Sequence, residues 1–180
     1  MIKTLKENIV MDNNFVKINN DTVEFPDKST GFYYKISLSD RFPNYGVAGL
    51  VVTAKNEVIL MDNYRYAHKE YAKETIKGFG IIDKTPIETF QVEMIEEIGF
   101  SSKNIQETFK LRGDNHDFFV HCFIAKNSIK TNKTSHENSE VIKSINKFTL
   151  KEALYLIDSG GITDPLTIVL IQNFILKLQN

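Results

Sequence analysis

Glu93, Glu96 and Glu97 fall within one short stretch of the chain. On a helical wheel at about 100° per residue, with Glu93 at zero, Glu96 lies near −60° and Glu97 near +40°. Ile87, Phe90, Met94 and Ile98 lie roughly between +60° and +140° on the same wheel. A helix here has an apolar stripe with three carboxylates along one edge. Like charges so close repel by a few tenths of a kcal/mol per pair, and a bound cation removes that cost. Magnesium prefers carboxylate oxygens, keeps several waters and often bridges to substrate phosphates. Such an ion can activate water, neutralise phosphate charge and orient an in-line displacement. Taken alone, the same three residues also read as a solvated acidic helix face.

The helix that must position them is well punctuated. Thr85 is a good N-cap, Pro86 suits the first helical position, and Glu88 completes a Thr-x-x-Glu capping box. Gly99 can close the C-terminus. Residues 46–53 form a compact apolar run that reads as a core strand, and 58–61 read as its return, with Lys55-Asn56-Glu57 as the turn between them. Residues 74–80 are short and end in Gly78-Phe79-Gly80. Residues 110–111 and 118–125 read as further strands, 126–139 as a polar loop, and 141–148 as a last strand. Thr149-x-x-Glu152 is a second capping box opening a helix to Asp158, and Asp164-Pro165 opens a final helix to about Leu178. In the first 45 residues, Phe32, Tyr34, Ile36 and Leu38 alternate with Tyr33, Lys35 and Ser37, the period of a half-buried strand. Residues 40–45, with Pro43, form a candidate hinge. Strands and helices mix without the regular alternation of a parallel sheet, so the expected class is α+β: a mixed β-sheet sandwiched between helices, with an N-terminal β-rich subdomain.

Residues 78–100 resemble the Nudix box. That pattern runs Gly, five residues, Glu, seven residues, Arg-Glu, an aliphatic residue, any residue, Glu-Glu, any residue, Gly, then a bulky apolar residue. Gly78 takes the first position, and Glu93, Met94, Glu96, Glu97, Gly99 and Phe100 take the later ones at the right spacing. Two positions depart. The family glutamate falls at Lys84 and the family arginine at Val92, residues that in the family support the loop-helix geometry and orient the catalytic glutamate. The change means either an inactive relic or a rewired support in which Lys84 supplies the positive charge that Val92 does not. Asn63-Tyr64-Arg65-Tyr66 looks like the Tyr-Arg segment of ADP-ribose pyrophosphatase-type members. Glu74-Thr75-Ile76-Lys77-Gly78 resembles their Glu-aliphatic-Pro-x-Gly stretch without its proline. Lys151-Glu152-Ala153 and Gly161-Ile162-Thr163-Asp164 match that subgroup's C-terminal layout.

The resemblance implies a Nudix-like fold divided into a strand-rich subdomain over 1–45, through which that subgroup dimerises, and a hydrolase domain over 46–180. It implies catalytic roles for Glu93 and Glu97. It implies a magnesium site, or manganese in its place, from Glu93, Glu96, Glu97 and the backbone carbonyl of Lys77. Arg65, Glu74 and Gly78 are implied at the substrate, with Arg65 facing phosphates through a fixed charge and forked donors. A general base is often a late-loop glutamate, here Glu137 or Glu140, between which spacing does not choose. Tyr33, Tyr34 and Phe79 could hold a nucleobase or pack in the core.

Composition bounds the rest. The chain has 180 residues, 42% hydrophobic and 25% charged, with a formal net charge of −1. That is enough for one well-packed domain with a small appendage, and the balance points to neither nucleic-acid nor membrane partners. A single cysteine, Cys122, sits in an apolar run and reads as a core thiol; with no intrachain disulfide, a cytoplasmic setting is expected. No stretch approaches the roughly 20 apolar residues of a membrane span. His68, His116, His121 and His136 show no zinc-like pairing, and neither a phosphate-loop motif nor a nucleophile elbow occurs. Two functional readings stand. In one, a homodimeric enzyme splits the pyrophosphate of a nucleoside diphosphate derivative, an ADP-sugar such as ADP-ribose being favoured, to a nucleoside monophosphate and a sugar phosphate. In the other, a catalytically weakened module of the same fold binds a nucleotide-sugar.

Overall fold

The structure is a computed structural model, and it describes residues 1–131 and 141–179. Strands β1 (Lys3–Lys6), β2 (Ile9–Asp12), β3 (Val16–Glu24) and β4 (Thr30–Leu38) form a four-stranded antiparallel sheet around β3. The chain then enters a seven-stranded mixed sheet of β5 (Tyr45–Val52), β6 (Val58–Arg65), β7 (Glu70–Glu74), β8 (Ile76–Phe79), β10 (Asn104–Leu111), β11 (Phe119–Lys126) and β13 (Ile142–Phe148). A small pair, β9 (Phe100–Ser101) with β12 (Ile129–Lys130), stands apart. Helix α1 (Pro86–Ile98) follows β8, and α2 (Leu150–Asp158) and α3 (Pro165–Gln179) close the chain. This is the expected α+β class, a mixed sheet between helices.

Alternation along β5 makes the two cores. Val47 and Val51 point to one face and join Phe90, Met94 and Ile98 of α1. Ala48, Leu50 and Val52 point to the other and join Ala153 of α2 and Leu170, Ile171 and Phe174 of α3. Burying an apolar side chain of this size contributes about 1.5–3 kcal/mol, far more than the few tenths per pair of carboxylate repulsion. The apolar stripe therefore dictates how α1 docks, and the glutamates go where the stripe takes them. Ile87 departs from the expected stripe: it is exposed in the first turn of the helix. Gly49 is needed at the docking point, because a Cβ there would overlap the Phe90 ring.

The hairpin expected from 46–61 is splayed. β5 and β6 pair only at Val51–Ile59 and Val52–Val58. Beyond that they diverge, and the chain returns between them: β7 pairs with β6 and β8 with β5. β7, of sequence Glu-Tyr-Ala-Lys-Glu, has no apolar alternation and was not expected as a strand. At the fork sits Thr75, almost fully buried, whose hydroxyl donates to the Gly49 carbonyl. Its N–H donates to Thr167 Oγ1 of α3 at 2.9 Å. Both capping boxes form, at Thr85–Glu88 and Thr149–Glu152, and Gly99 ends α1 at φ 68°. Cys122 is buried, and burial followed by the charge of Glu107 pushes its thiol up to about 12, in keeping with a core thiol. His121 pairs with Glu107 at 3.0 Å.

Candidate functional site

The sheet fork brings the end of β6, the β7–β8 junction and α1 together. Glu97 is buried, and its Oε2 accepts the Lys77 N–H at 3.1 Å. Glu93, one turn earlier on α1, lies over Gly78: a Cβ added there would overlap the Glu93 carboxylate. Two of the three expected acids thus converge on consecutive residues of β8. Glu96 does not complete a trio. Among the described residues, no group of three His, Cys, Asp or Glu side chains is gathered closely enough to hold a metal ion. The reason is angular. Adjacent helical residues diverge by about 100°, so when Glu97 turns in, Glu96 stays half-buried at the rim.

Behind the carboxylates lies an ion-pair chain. Arg65 binds Glu74 in a fork through Nε, at 2.9 and 3.1 Å, and through Nη2. Glu74 is 3% exposed and also meets Lys77 Nζ at 2.9 Å. Lys77 Nζ reaches on to Asp164 Oδ1 at 2.7 Å. Asp164 caps α3 through Oδ2, which accepts from Thr167 N and Oγ1 at 2.8 and 2.6 Å. The bonds from Glu74 outweigh burial and, with the charges of Asp164 and Glu97, raise the Arg65 pKa above its ordinary value. Burial pushes the Asp164 carboxyl up, but the Lys77 ammonium and the Thr167 donors outweigh it and leave the group below the usual carboxylate range. Glu74, expected at the substrate, is buried, and both its oxygens hold cations. Arg65 keeps the remaining edge of its guanidinium, on a side chain 40% exposed.

Lys84 stands in the loop just before α1. It is exposed, and its charge acts on Glu88 at the start of α1, whose carboxyl is lowered first by the Thr85 hydroxyl and backbone and last by Lys84. Its backbone, not its ammonium, is held: Tyr45 OH donates to the Lys84 carbonyl at 2.7 Å. Glu137 and Glu140 lie outside the described residues. Phe79 is 37% exposed and packs against Phe42, ring centroids 5.1 Å apart. Tyr33 and Tyr34 are exposed on the N-terminal sheet. A cavity of about 390 Å³ under that sheet is lined by Phe42 but by neither Glu93 nor Glu97. Sequence reasoning missed Lys77 as a side chain, Asp164 and Tyr45. The Asp164-Pro165 helix start was visible, but nothing local tied it to β8.

No protein-family model matches the chain. It is 27% identical over 173 residues to a methanol dehydrogenase activator of Bacillus methanolicus, covering 94% of this chain and 90% of the relative. Its fold is similar to the crystal structure of an ADP compounds hydrolase, with a TM-score of 0.84 and 15% identity, covering 99% of this chain and 94% of that one.

Proposed function

We propose that this chain is a divalent-metal-dependent hydrolase of a nucleoside diphosphate derivative, with an ADP-sugar such as ADP-ribose as the favoured substrate. The observation that carries the reading is the convergence of Glu93 and Glu97 on Lys77 and Gly78. Two carboxylates and the Lys77 carbonyl, with Glu96 assisting from the rim, fit magnesium or manganese that keeps several waters better than a fully caged ion. Such an ion, when bound, supplies charge neutralisation at the phosphates and a more acidic water. The chain's own residues then have distinct tasks. Glu93 and Glu97 hold negative charge at fixed positions against β8. Arg65, locked by Glu74, offers its free N–H edge to phosphate oxygens without swinging in solvent, which lowers the entropy lost on binding. Lys77 ties Glu74 to Asp164 and keeps the buried acids neutralised. Glu137 or Glu140 takes the proton of the attacking water. The fold shared with an ADP compounds hydrolase supports this choice of ligand class. A second copy of the chain is the proposed partner, docking on the N-terminal sheet, and the proposed setting is the cytoplasm.

A second reading is favoured by one relative and two residues. The relative is named as an activator of a dehydrogenase, and Lys84 and Val92 stand where the Nudix pattern has Glu and Arg. In that reading the site binds a nucleotide derivative and acts on a partner enzyme with little turnover of its own. One assay separates the two. ADP-ribose, other nucleoside diphosphate sugars, dinucleoside polyphosphates and nucleoside triphosphates are incubated with and without magnesium, and products are resolved by chromatography. Magnesium-dependent cleavage of one class, lost in Glu97→Gln, is the expected result. Binding of a nucleotide-sugar without cleavage of any substrate supports the second reading and overturns the first.

A further inference from the structure

Both ends of the loop between β8 and α1 are tied down by one residue. Tyr45, first in β5, accepts the Gly80 N–H on its carbonyl at 2.8 Å. Its hydroxyl donates to the Lys84 carbonyl at 2.7 Å and lies 2.9 Å from Thr89 Oγ1 in α1. Thr89 is fully buried, and its hydroxyl accepts the Ile81 N–H at 3.4 Å. Each hydroxyl has one proton to give. The set closes as a directed chain: Ile81 N–H to Thr89 OH, Thr89 OH to Tyr45 OH, and Tyr45 OH to Lys84 C=O. Hydrogen bonds in such a chain polarise one another in the low-dielectric interior. Gly80 makes room for it, since a Cβ there would press on the Tyr45 ring and carbonyl.

We propose that Tyr45 and Thr89 are positioning residues: their hydroxyl chain clasps the β8–α1 loop to α1 and thereby sets Glu93 and Glu97 against Gly78 and Lys77. It rests on the proposed metal site for its functional consequence. Thr89 stands one helical turn before Glu93, and Gly80 stands two residues after Gly78, so the clasp spans the same β8–α1 junction that the carboxylates cross. Side-chain charge at residue 84 has no part in it.

The test is Tyr45→Phe, which removes only the hydroxyl. Amide exchange by NMR, without metal, is read at Ile81 and Lys84 for the loop and at Lys77 for the Glu97 contact. Manganese alone is titrated calorimetrically. The clasp predicts exchange at all three amides at least about tenfold faster, and manganese affinity lower by roughly the 10- to 100-fold typical of losing an outer-shell partner. Lys84→Met leaves all of these unchanged. Thr89→Val reproduces the loss, Thr89→Ser restores it, and this pair serves if Tyr45→Phe does not fold. Unchanged loop exchange in Tyr45→Phe overturns the proposal, as does a loosened loop with Lys77 exchange unaltered, or a Lys84→Met variant that behaves like Tyr45→Phe. A parent protein that binds no manganese overturns the metal site instead, while the Lys77 amide still decides the clasp.

Discussion

Gly78 and Glu93 show how much one missing side chain can decide. The atom that a Cβ at residue 78 would displace is the far end of a flexible glutamate, not backbone. Gly78→Ala is therefore expected to fold, because Glu93 can swing aside, but to lose the carboxylate's placement. Its melting temperature should stay within a few degrees of the parent, while manganese affinity in a calorimetric titration falls at least about tenfold. Equal affinity in the two proteins would remove Glu93 from the metal site. Arg65 is a different case, because its partner is buried. Arg65→Ala leaves Glu74 with Lys77 alone, and hydrogen bonds to charged groups contribute about 1.5–3 kcal/mol each. A loss of about 2 kcal/mol is expected in urea unfolding, with Arg65→Lys recovering only part of it, since an ammonium cannot copy the fork. Full recovery in the lysine variant would show that the fork geometry is unimportant.

At the scale of elements, α3 is joined to the site by its own cap. Asp164 bonds the first turn of α3 through Oδ2 and Lys77 through Oδ1. The sign of its pH effect follows from its lowered pKa. The folded protein holds the carboxylate ionised at a pH where the unfolded chain has taken up a proton. The stabilisation is thus fully present above the ordinary carboxylate value of 3.8 and is lost as pH falls below it through the folded value. Asp164→Asn is expected to be less stable than the parent at neutral pH and to show a shallower acid limb below about pH 4, read by circular dichroism. An unaltered acid limb would mean that other carboxylates govern acid unfolding. The cap of α1 is a simpler element: Thr85→Ala should cost about 1 kcal/mol, because Glu88 N loses its acceptor.

At the scale of the whole molecule, the N-terminal sheet combines buried polar side chains with exposed aromatic ones. In the N-terminal sheet, Asn19 and Asp21 face inward and are buried, and Asn19 Oδ1 has no partner. Phe32 and Tyr34 point to the other face and are 71% and 51% exposed. Exposed aromatic side chains on a sheet face are the pattern of a surface that a partner covers, and a second copy is the proposed cover. Replacing both Phe32 and Tyr34 by Glu should turn a dimer into a monomer in sedimentation velocity without loss of helical signal. A parent protein that sediments as a monomer at all concentrations would overturn the proposed dimer. Among the described residues, no helix is long and apolar enough to cross a membrane.

What the sequence determined by itself is whatever lies within a turn or a strand's reach. Thr85, Glu88 and Gly99 bound α1, and Thr149 and Glu152 start α2, because caps bind backbone only three residues away. The period of Phe90, Met94 and Ile98 determined which face of α1 is buried, and with it the inward course of Glu93 and Glu97. Ile87 and β7 escaped because exposure at a helix end and pairing of a polar strand depend on neighbours, not on pattern. Tertiary structure alone decided the rest of the site. Tyr45 meets Lys84 across 39 positions, Lys77 meets Asp164 across 87, and Thr75 meets Thr167 across 92. No local propensity encodes such pairs. They exist because two apolar cores, one on each face of a forked sheet, bring α1 and α3 to the same strand and leave their polar ends within hydrogen-bond reach.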